Sequence, residues 1–213
     1  MKLAIATRNK HKLEEIREIF HIPMLDVVSA FDFPDVPDVV EDGETFEANA
    51  IKKAVTLAKA TGLWALADDS GLEVDALNGE PGVYSARYAG EPVSPPANNR
   101  KLLAALKNVT NRKARFRCVV ALSSPSGETR VVDGRCEGTI GFEERGSKGF
   151  GYDPLFIPDG HTVTFAEMDG AAKHAISHRG RALRRAGEEW GAVLRGEERV
   201  EWWSDGELGE GDG

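Results

Sequence analysis

The sequence predicts an α/β domain in which a strand and a helix alternate near the start of the chain and an antiparallel ribbon follows. An apolar strand-like segment at residues 3–6 precedes a segment with apolar side chains at helical spacing, about residues 11–20. Farther along, two strand-like segments, residues 114–122 and 129–136, are joined by a Ser-Pro-Ser-Gly turn, the pattern of a hairpin. The 213 residues suffice for one domain with a continuous core.

Composition and charge narrow the class of protein. A hydrophobic content of 41% and a charged content of 29% are typical of a soluble globular protein. The net charge of −8 disfavours a nucleic-acid binder but allows a small anion in a local cationic pocket. Cys118 and Cys136 fit no metal pattern and fall in predicted strands, so we expect buried free thiols. The short apolar run before Arg8 is neither a signal peptide nor a membrane span, which favours a cytoplasmic protein.

A polar loop between the first strand and the first helix is a candidate anion site. It contains Thr7, Arg8, Asn9, Lys10, His11 and Lys12. Helix N-terminal N–H groups favour anions, and hydroxyl, amide and ammonium groups add hydrogen-bond donors. The loop lacks the glycine pattern of a Walker loop. A plain helix cap is the alternative interpretation.

The next segment combines carboxylates with a helix start. After a second predicted strand at residues 25–33, the segment at residues 34–42 carries Asp35, Asp38, Glu41 and Asp42. Mg²⁺ is usually held by one or two carboxylates and substrate phosphates, although solvated or capping carboxylates are also common here. On the helix predicted at residues 45–61, Asn49 and Lys53 share one face, so Lys53 can point toward a cleft or into solvent.

Two adjacent carboxylates follow that helix. Trp64 to Ala67 read as a short buried strand and Ser70-Gly71 as a turn, which places Asp68 and Asp69 where the strand leaves the core. Successive strand side chains point to opposite faces, so one aspartate can face a cleft while the other braces the loop. An acidic surface turn is the alternative.

The last third of the chain carries aromatic and cationic groups. In Gly-Phe-Gly-Tyr-Asp-Pro at residues 149–154, Phe150 can stack on a flat ligand and Asp153 can accept hydrogen bonds from a base edge. A glycine-rich turn with core aromatics is equally compatible. Ser177 is a predicted N-cap of the final helix, followed by His178 and Arg179, which suggest an anion or purine-edge site or merely surface cations.

Five blocks in this order resemble the inosine triphosphate pyrophosphatase family, also called XTP/dITP diphosphatases or non-standard purine NTP pyrophosphatases. The blocks are Ala-Thr-Arg-Asn-Lys-His-Lys at 6–12, Thr-Phe-Glu-Ala-Asn-Ala-Ile-Lys-Lys-Ala at 45–54, the stretch at 67–90 that begins Ala-Asp-Asp-Ser-Gly, the glycine–aromatic block at 149–154, and Ile-Ser-His-Arg-Gly-Arg-Ala-Leu at 176–183. The resemblance extends to about residue 187. The chain departs from the usual pattern at Arg8, where glycine is common, and at Ala48, where glutamate is frequent.

The resemblance implies a long mixed twisted sheet flanked by helices, with two lobes around a central cleft, and a homodimer. Residues 1–195 would form this single domain, and the acidic, glycine-rich tail at 196–213 is expected to be partly disordered. The implied activity is Mg²⁺-dependent hydrolysis of ITP, dITP or XTP to the monophosphate and pyrophosphate. A non-catalytic purine nucleotide-binding or sensor protein is the alternative, and carboxylates beside phosphates argue against it unless a metal is present.

The resemblance also implies roles for individual residues. Asp69 would be the proton acceptor and, with Glu41, a Mg²⁺ ligand, supported by Asp68 and Asn49. The triphosphate would be bound by the first loop, residues 7–12, and by Lys53, with Ser70 touching the substrate. The base pocket would consist of Phe150, Gly151, Tyr152, Asp153, Lys173, His178 and Arg179.

Overall fold

One six-stranded mixed sheet organises the protein in a computed structural model that describes residues 1–197. The strands are β1 (Lys2–Ile5), β2 (Asp26–Ser29), β3 (Trp64–Val74), β4 (Lys113–Ser123), β5 (Thr129–Ile140) and β6 (Phe156–Pro158). They lie in the order β2-β1-β3-β4-β5-β6, parallel from β2 to β3 and antiparallel from β3 to β6. The predicted α/β class with an antiparallel ribbon is confirmed. The predicted tail, with Trp202 and Trp203, lies almost wholly outside the described residues.

Helices cover both faces of the sheet. They are α1 (Lys10–Ile19), α2 (Phe46–Thr61), α3 (Pro95–Ala105), α4 (Gly170–Ile176) and α5 (His178–Leu194). Ser177 caps α5 as predicted, and α2 ends at Thr61 as predicted, with Gly62 as its C-cap at φ 66°. Thr45, predicted as the first helical residue, is instead the N-cap, whose side chain accepts a hydrogen bond from the N–H of Ala48. The seven-residue α4 was not predicted. Within the described residues, no helix is long and apolar enough to span a membrane.

The core is divided by the sheet. On one face, α1 and α5 pack against Leu66, Cys118 and Val120. On the other face, α2 packs against small residues such as Ala65 and Ala67, which let the helix approach the strands closely. Both cysteines are buried and free, as predicted. The two faces therefore differ in their packing, and neighbouring residues of β3 contact different helices.

The predicted turn at Ser70-Gly71 is wrong, because β3 continues through it. Ten consecutive residues of β3, 65–74, pair with β4. A Cβ on Gly71 would lie 2.5 Å from the carbonyl oxygen of Gly82 and 2.5 Å from Ser85 Oγ. The glycine therefore serves close packing inside a strand, a role that glycine also has in sheets.

The end of β1 determines where the cleft lies. Pairing of β1 with β3 ends at Ile5 and Leu66, after which the chain enters the loop that leads to α1. Asp68 and Asp69 follow two and three residues beyond that point, at the carboxyl end of the parallel strand β1. Ligands of open α/β sheets bind at such carboxyl ends.

Candidate active site

Two adjoining cavities open at the carboxyl end of β1. The smaller, which Asp69 lines, has a volume of about 320 Å³ and the larger about 590 Å³. Asn9, Lys12 and Glu41 line both, so the two cavities lie side by side. Predicted residues that line the smaller cavity also include His11, Asp69, Ser70, Phe150, Gly151, Tyr152, Asp153, Lys173, His178 and Arg179. The larger cavity adds Thr7, Arg8 and Lys53.

The first loop is folded by its own side chains. Thr7 Oγ1 accepts a hydrogen bond from the N–H of Asn9 at 3.2 Å, and Asn9 Oδ1 accepts one from the N–H of Lys12, also at 3.2 Å. This cap starts α1 so that Lys12 Nζ lies 3.4 Å from Asp68 Oδ2. The His11 ring stacks on Phe150 with 5.4 Å between ring centroids. Lys10 is exposed and lines neither cavity.

Arg8 points across the larger cavity rather than along the loop. Its Nη2 donates to the carbonyl oxygen of Val36 at 2.6 Å, and its Nε lies 2.5 Å from Asp38 Oδ1. The predicted phosphate-binding residue therefore contacts the acidic segment on the opposite wall.

Asp69 faces α2, where Asn49 and Lys53 share one face as their spacing predicted. Asn49 Nδ2 donates to Asp69 Oδ2 at 3.1 Å, and Lys53 Nζ lies 3.5 Å from Asp69 Oδ1. Lys53 also donates to Glu41 Oε1 at 2.6 Å, so one ammonium contacts both carboxylates. Lys53 is largely buried, and the solvated alternative is wrong.

The two carboxylates on this face have different proton affinities. Burial raises the pKa of Asp69 above its usual value, and the nearby Lys53 and Lys12 only partly oppose this. Burial also acts to raise the pKa of Glu41, but the charge and hydrogen bond of Lys53 outweigh it, and the pKa is lowered. Asp69 is therefore the better proton acceptor of the pair.

Asp68 faces the other way, toward α1 and α5. Its Oδ2 accepts hydrogen bonds from Arg179 Nη2 at 2.9 Å and Nε at 3.2 Å. The carboxylate is fully buried, which alone would raise its pKa, but Lys12 and Arg179 hold the pKa well below its usual range. The prediction that successive aspartates take opposite faces is confirmed, although Asp68 braces side chains rather than a loop.

Sequence reasoning missed Glu15, which organises the cationic end of the cleft. Glu15 accepts hydrogen bonds from Arg179 Nη1 and from Lys173 Nζ, the latter at 2.7 Å. Lys173 also donates to Asp153 Oδ2 at 2.7 Å. Burial opposes the charge of Glu15, but Arg179 and Lys173 lower its pKa, so it stays ionised. A signal existed in the sequence, because Glu15 lies beside Ile16 on the apolar stripe of α1.

The predicted base-pocket residues lie together at this end. Phe150 is half-buried, with Lys173 Nζ 5.2 Å and the Arg179 guanidinium carbon 5.7 Å from its ring centroid. Arg179 Nη2 also donates to Ser70 Oγ at 2.8 Å. Tyr152 belongs to the core, where its hydroxyl donates to the carbonyl oxygen of Ser85 at 2.8 Å.

His178 is held neutral in the wall of the smaller cavity. Burial lowers its pKa well below 6.5, and the adjacent Arg179 and Lys173 lower it further. Its ring stacks on Phe116 with 4.6 Å between centroids, and Nδ1 has no hydrogen-bond partner among the described residues. A neutral imidazole has one N–H donor and one acceptor nitrogen, which suits the recognition of a base edge.

The two faces of β3 differ in the balance between positive and negative side chains. On the Asp68 face, ion pairs join three cations to three carboxylates, Lys12, Lys173 and Arg179 with Asp68, Glu15 and Asp153. On the Asp69 face, Lys53 forms ion pairs with two carboxylates, Asp69 and Glu41. These three paired groups carry one net negative charge, which a bound cation can neutralise. Across residues 1–197, no cluster of three or more histidine, cysteine or acidic side chains forms a metal site by itself.

Comparison with known proteins identifies the family of this chain. A model of the Ham1 family matches residues 3–189. The chain belongs to the Ham1 family. Among Ham1 relatives, a dITP/XTP pyrophosphatase of Desulforamulus reducens is 54% identical over 190 residues, covering 88% of this chain and 94% of the relative. One of Geobacter sulfurreducens is 55% identical over 184 residues, covering 85% and 92%.

Solved Ham1 structures share the fold described above. The Ham1 protein of Staphylococcus aureus superposes with a TM-score of 0.81 at 44% identity and covers 93% of this chain and 100% of its own. The Ham1 protein of Coxiella burnetii gives a TM-score of 0.82 at 42% identity, covering 92% and 99%. The resemblance noted in the sequence is thereby confirmed as family membership.

Proposed function

We propose that this Ham1 family protein hydrolyses dITP, XTP and ITP to the nucleoside monophosphate and pyrophosphate, and so removes non-standard purines from the nucleotide pool. The observation that carries the proposal is the smaller cavity, which brings Phe150, Lys173 and Arg179 together with Glu41 and Asp69, both of which contact Lys53 of the adjoining cavity. Relatives that are 54% and 55% identical have the name dITP/XTP pyrophosphatase, which supports the same substrates here.

The cations of the cleft bind the triphosphate. Lys12, which pairs with Asp68, and Lys53, which pairs with Asp69, place positive charge where negative charge develops on the leaving pyrophosphate. Fixed positive charge at that position is the main source of catalysis in phosphoryl transfer. The N–H groups at the start of α1, with Thr7 and Asn9, add neutral donors for phosphate oxygens.

Asp69 is the proposed proton acceptor for the attacking water. Its raised pKa makes the carboxylate a stronger base than an ordinary aspartate, and Asn49 fixes its orientation through the hydrogen bond at 3.1 Å. Asp68, with its lowered pKa and its bonds to Arg179, is unsuited to this role. The two aspartates therefore divide into a reacting group and a structural one.

Glu41 and Asp69 fit a Mg²⁺ site, because both carboxylates contact the Lys53 ammonium and their two negative charges exceed its one positive charge. Mg²⁺ is commonly held by one or two carboxylates, with waters and substrate phosphates as the remaining ligands. When bound, it would lower the pKa of a coordinated water and neutralise phosphate charge. Asp42 is the weaker candidate, because its carboxylate is exposed and pairs with Lys52.

Hydrogen-bond donors in the smaller cavity account for the preference for inosine and xanthosine over adenosine. Inosine and xanthosine present a 6-carbonyl oxygen, which accepts from Lys173, His178 or Arg179. Adenosine presents an amino group there, which would place a donor against donors. A site built on buried hydrogen bonds can reject the mismatched partner by about 10⁴-fold.

The decisive experiment measures pyrophosphate release from ITP, XTP, dITP, ATP and GTP with and without Mg²⁺. We expect Mg²⁺-dependent turnover of the first three, and Asp69→Asn is expected to abolish it. Equal turnover of ATP would overturn the base selection, and full activity of Asp69→Asn would overturn the assigned base. Nucleotide binding without turnover would favour the sensor function instead.

We further propose that the protein works as a cytoplasmic homodimer that acts on free nucleotides and binds no nucleic acid. Family resemblance supports the dimer, and the net charge of −8 disfavours a polyanionic nucleic-acid partner. Light scattering of the purified protein tests the first point, since it distinguishes one chain from two. A shift assay with single-stranded DNA tests the second.

A further inference from the structure

The acidic segment, residues 34–42, forms one wall of the larger cavity and contains neither a helix nor a strand. Two lysines of α2 and one arginine later in the chain hold the second half of this segment in place. Lys52 Nζ donates to the carbonyl oxygen of Val40 at 2.9 Å, and Lys53 donates to the carboxylate of Glu41. Arg87 Nη2 donates to the carbonyl oxygen of Glu41 at 2.9 Å. The backbone and side chain of the proposed metal ligand are both fixed in this way.

The first half of the acidic segment is held from the opposite wall of the cavity by Arg8. The guanidinium donates to the carbonyl oxygen of Val36 at 2.6 Å and pairs with Asp38 at 2.5 Å. Arg8 itself stands between Thr7 and Asn9, two residues of the first loop. Its side chain therefore connects the wall that offers donors for phosphate to the wall that carries Glu41.

We propose that Arg8 is a positioning residue that orders the acidic segment and so presents Glu41 to the divalent cation at the correct distance from the first loop. This inference rests on the proposed function, because it takes Glu41 and Asp69 as the metal ligands. A segment without regular backbone hydrogen bonds loses conformational entropy when it becomes ordered. Contacts that order it beforehand reduce the cost of binding.

Arginine suits this task better than a point charge would. Its planar group presents several N–H donors at once, so it engages a carbonyl and a carboxylate in different directions. Two of its nitrogens, Nη2 and Nε, are already directed at Val36 and Asp38. A direct phosphate contact by Arg8 would require these bonds to be given up.

The test compares Arg8→Met, Asp38→Asn and their combination with the unsubstituted protein. Arg185→Met is the matched control, because Arg185 forms exposed ion pairs with Asp133 on β5 and Glu189 on α5. Hydrogen exchange of the metal-free protein reports the order of the acidic segment. Electron paramagnetic resonance titration with Mn²⁺ alone reports the metal site without nucleotide or turnover.

We expect Arg8→Met to speed exchange in the acidic segment and to weaken Mn²⁺ binding about tenfold, the change that ~1.4 kcal/mol produces. Asp38→Asn should have a smaller effect in the same direction, because the bond to Val36 remains and exposed ion pairs contribute little. The combined variant should resemble Arg8→Met, and Arg185→Met should match the unsubstituted protein.

Unchanged exchange and unchanged Mn²⁺ affinity in Arg8→Met would overturn the inference. The same holds if Arg8→Met only raises the KM for nucleotide while Asp38→Asn has no effect, since that pattern indicates direct phosphate contact. Failure of the unsubstituted protein to bind Mn²⁺ would overturn the metal site of the proposed function, and with it the role of Glu41. Failure of the Arg8 inference alone leaves wild-type Mn²⁺ binding and turnover intact.

Discussion

We expect two neighbouring substitutions in β3, Asp68→Asn and Asp69→Asn, to change the thermal stability in opposite directions. The substitutions are matched, because both residues are buried, both belong to one strand and asparagine has nearly the same shape as aspartate. Their environments differ. Asp68 is paired with Arg179 and Lys12, whereas Asp69 shares one lysine with Glu41.

Asp68→Asn removes the charge that the buried Arg179 and the half-buried Lys12 face. Three cations would then remain against two carboxylates on that face, with Arg179 still fully buried. Removing one partner of a buried ion pair costs about 3–5 kcal/mol. For a domain of this size, each kcal/mol lowers the Tm by about 2–4 °C, so the expected loss is about 6–20 °C.

For Asp69→Asn in metal-free buffer, we expect no loss of stability. Because the folded pKa of Asp69 is raised, the ionised carboxylate costs the folded state free energy at neutral pH. Asparagine carries no charge, and its amide oxygen can still accept from Asn49. The Tm should therefore stay the same or rise, while pyrophosphate release is lost.

Thermal unfolding followed by circular dichroism in EDTA measures both effects. The deficit of Asp68→Asn should be complete above the usual aspartate pKa of 3.8 and should shrink only as the pH falls toward the lowered folded pKa. The reasoning is refuted if Asp69→Asn is the more destabilising of the two. It is also refuted if Asp68→Asn melts within about 2 °C of the unsubstituted protein, which corresponds to less than about 1 kcal/mol.

Three more expectations follow from the same contacts. Lys53→Met leaves Glu41 and Asp69 without their shared cation, and kcat/KM at saturating Mg²⁺ should fall by about 10²–10³, with Tm measured as the control for folding. Gly71→Ala places a Cβ 2.5 Å from the carbonyl oxygen of Gly82 and should cost about 1–3 kcal/mol in urea unfolding, so an unchanged midpoint would contradict the packing role. In metal-free buffer, an NMR titration of the Asp69 carboxyl group should have its midpoint above pH 3.8, because burial raises its pKa; a midpoint at or below 3.8 in a protein that is still folded would argue against Asp69 as the stronger base.

Most of the site could be predicted from the sequence because its residues cluster in short blocks. The helix caps and the shared face of Asn49 and Lys53 follow from local rules that the structure confirms. The turn at Ser70-Gly71 was mispredicted because turn propensity is local, whereas the need for glycine there comes from a chain segment that returns eleven residues later.

Other features depend on contacts that sequence spacing does not reveal. Glu15 reaches Lys173 and Arg179 across more than 150 residues of chain, so its role appears only when α1 and α5 are packed together. The direction of Arg8 is likewise set by its bond to Val36, 28 residues later in the chain. Local spacing places Glu15 beside the apolar stripe of α1, but only tertiary packing determines which side chains Glu15 and Arg8 contact.

The alternation of side chains along β3 has a consequence for insertions and deletions. Ten residues of β3 pair with β4 and three pair with β1, and this pairing fixes the register of the strand. A shift by one residue would exchange the faces of every side chain. Asp68 would then meet Lys53, and Asp69 would meet Arg179, although both aspartates remain in the chain. Functional members of the family should therefore tolerate length changes in the loops around β3 but none within the strand, even where the inserted residue is small and apolar.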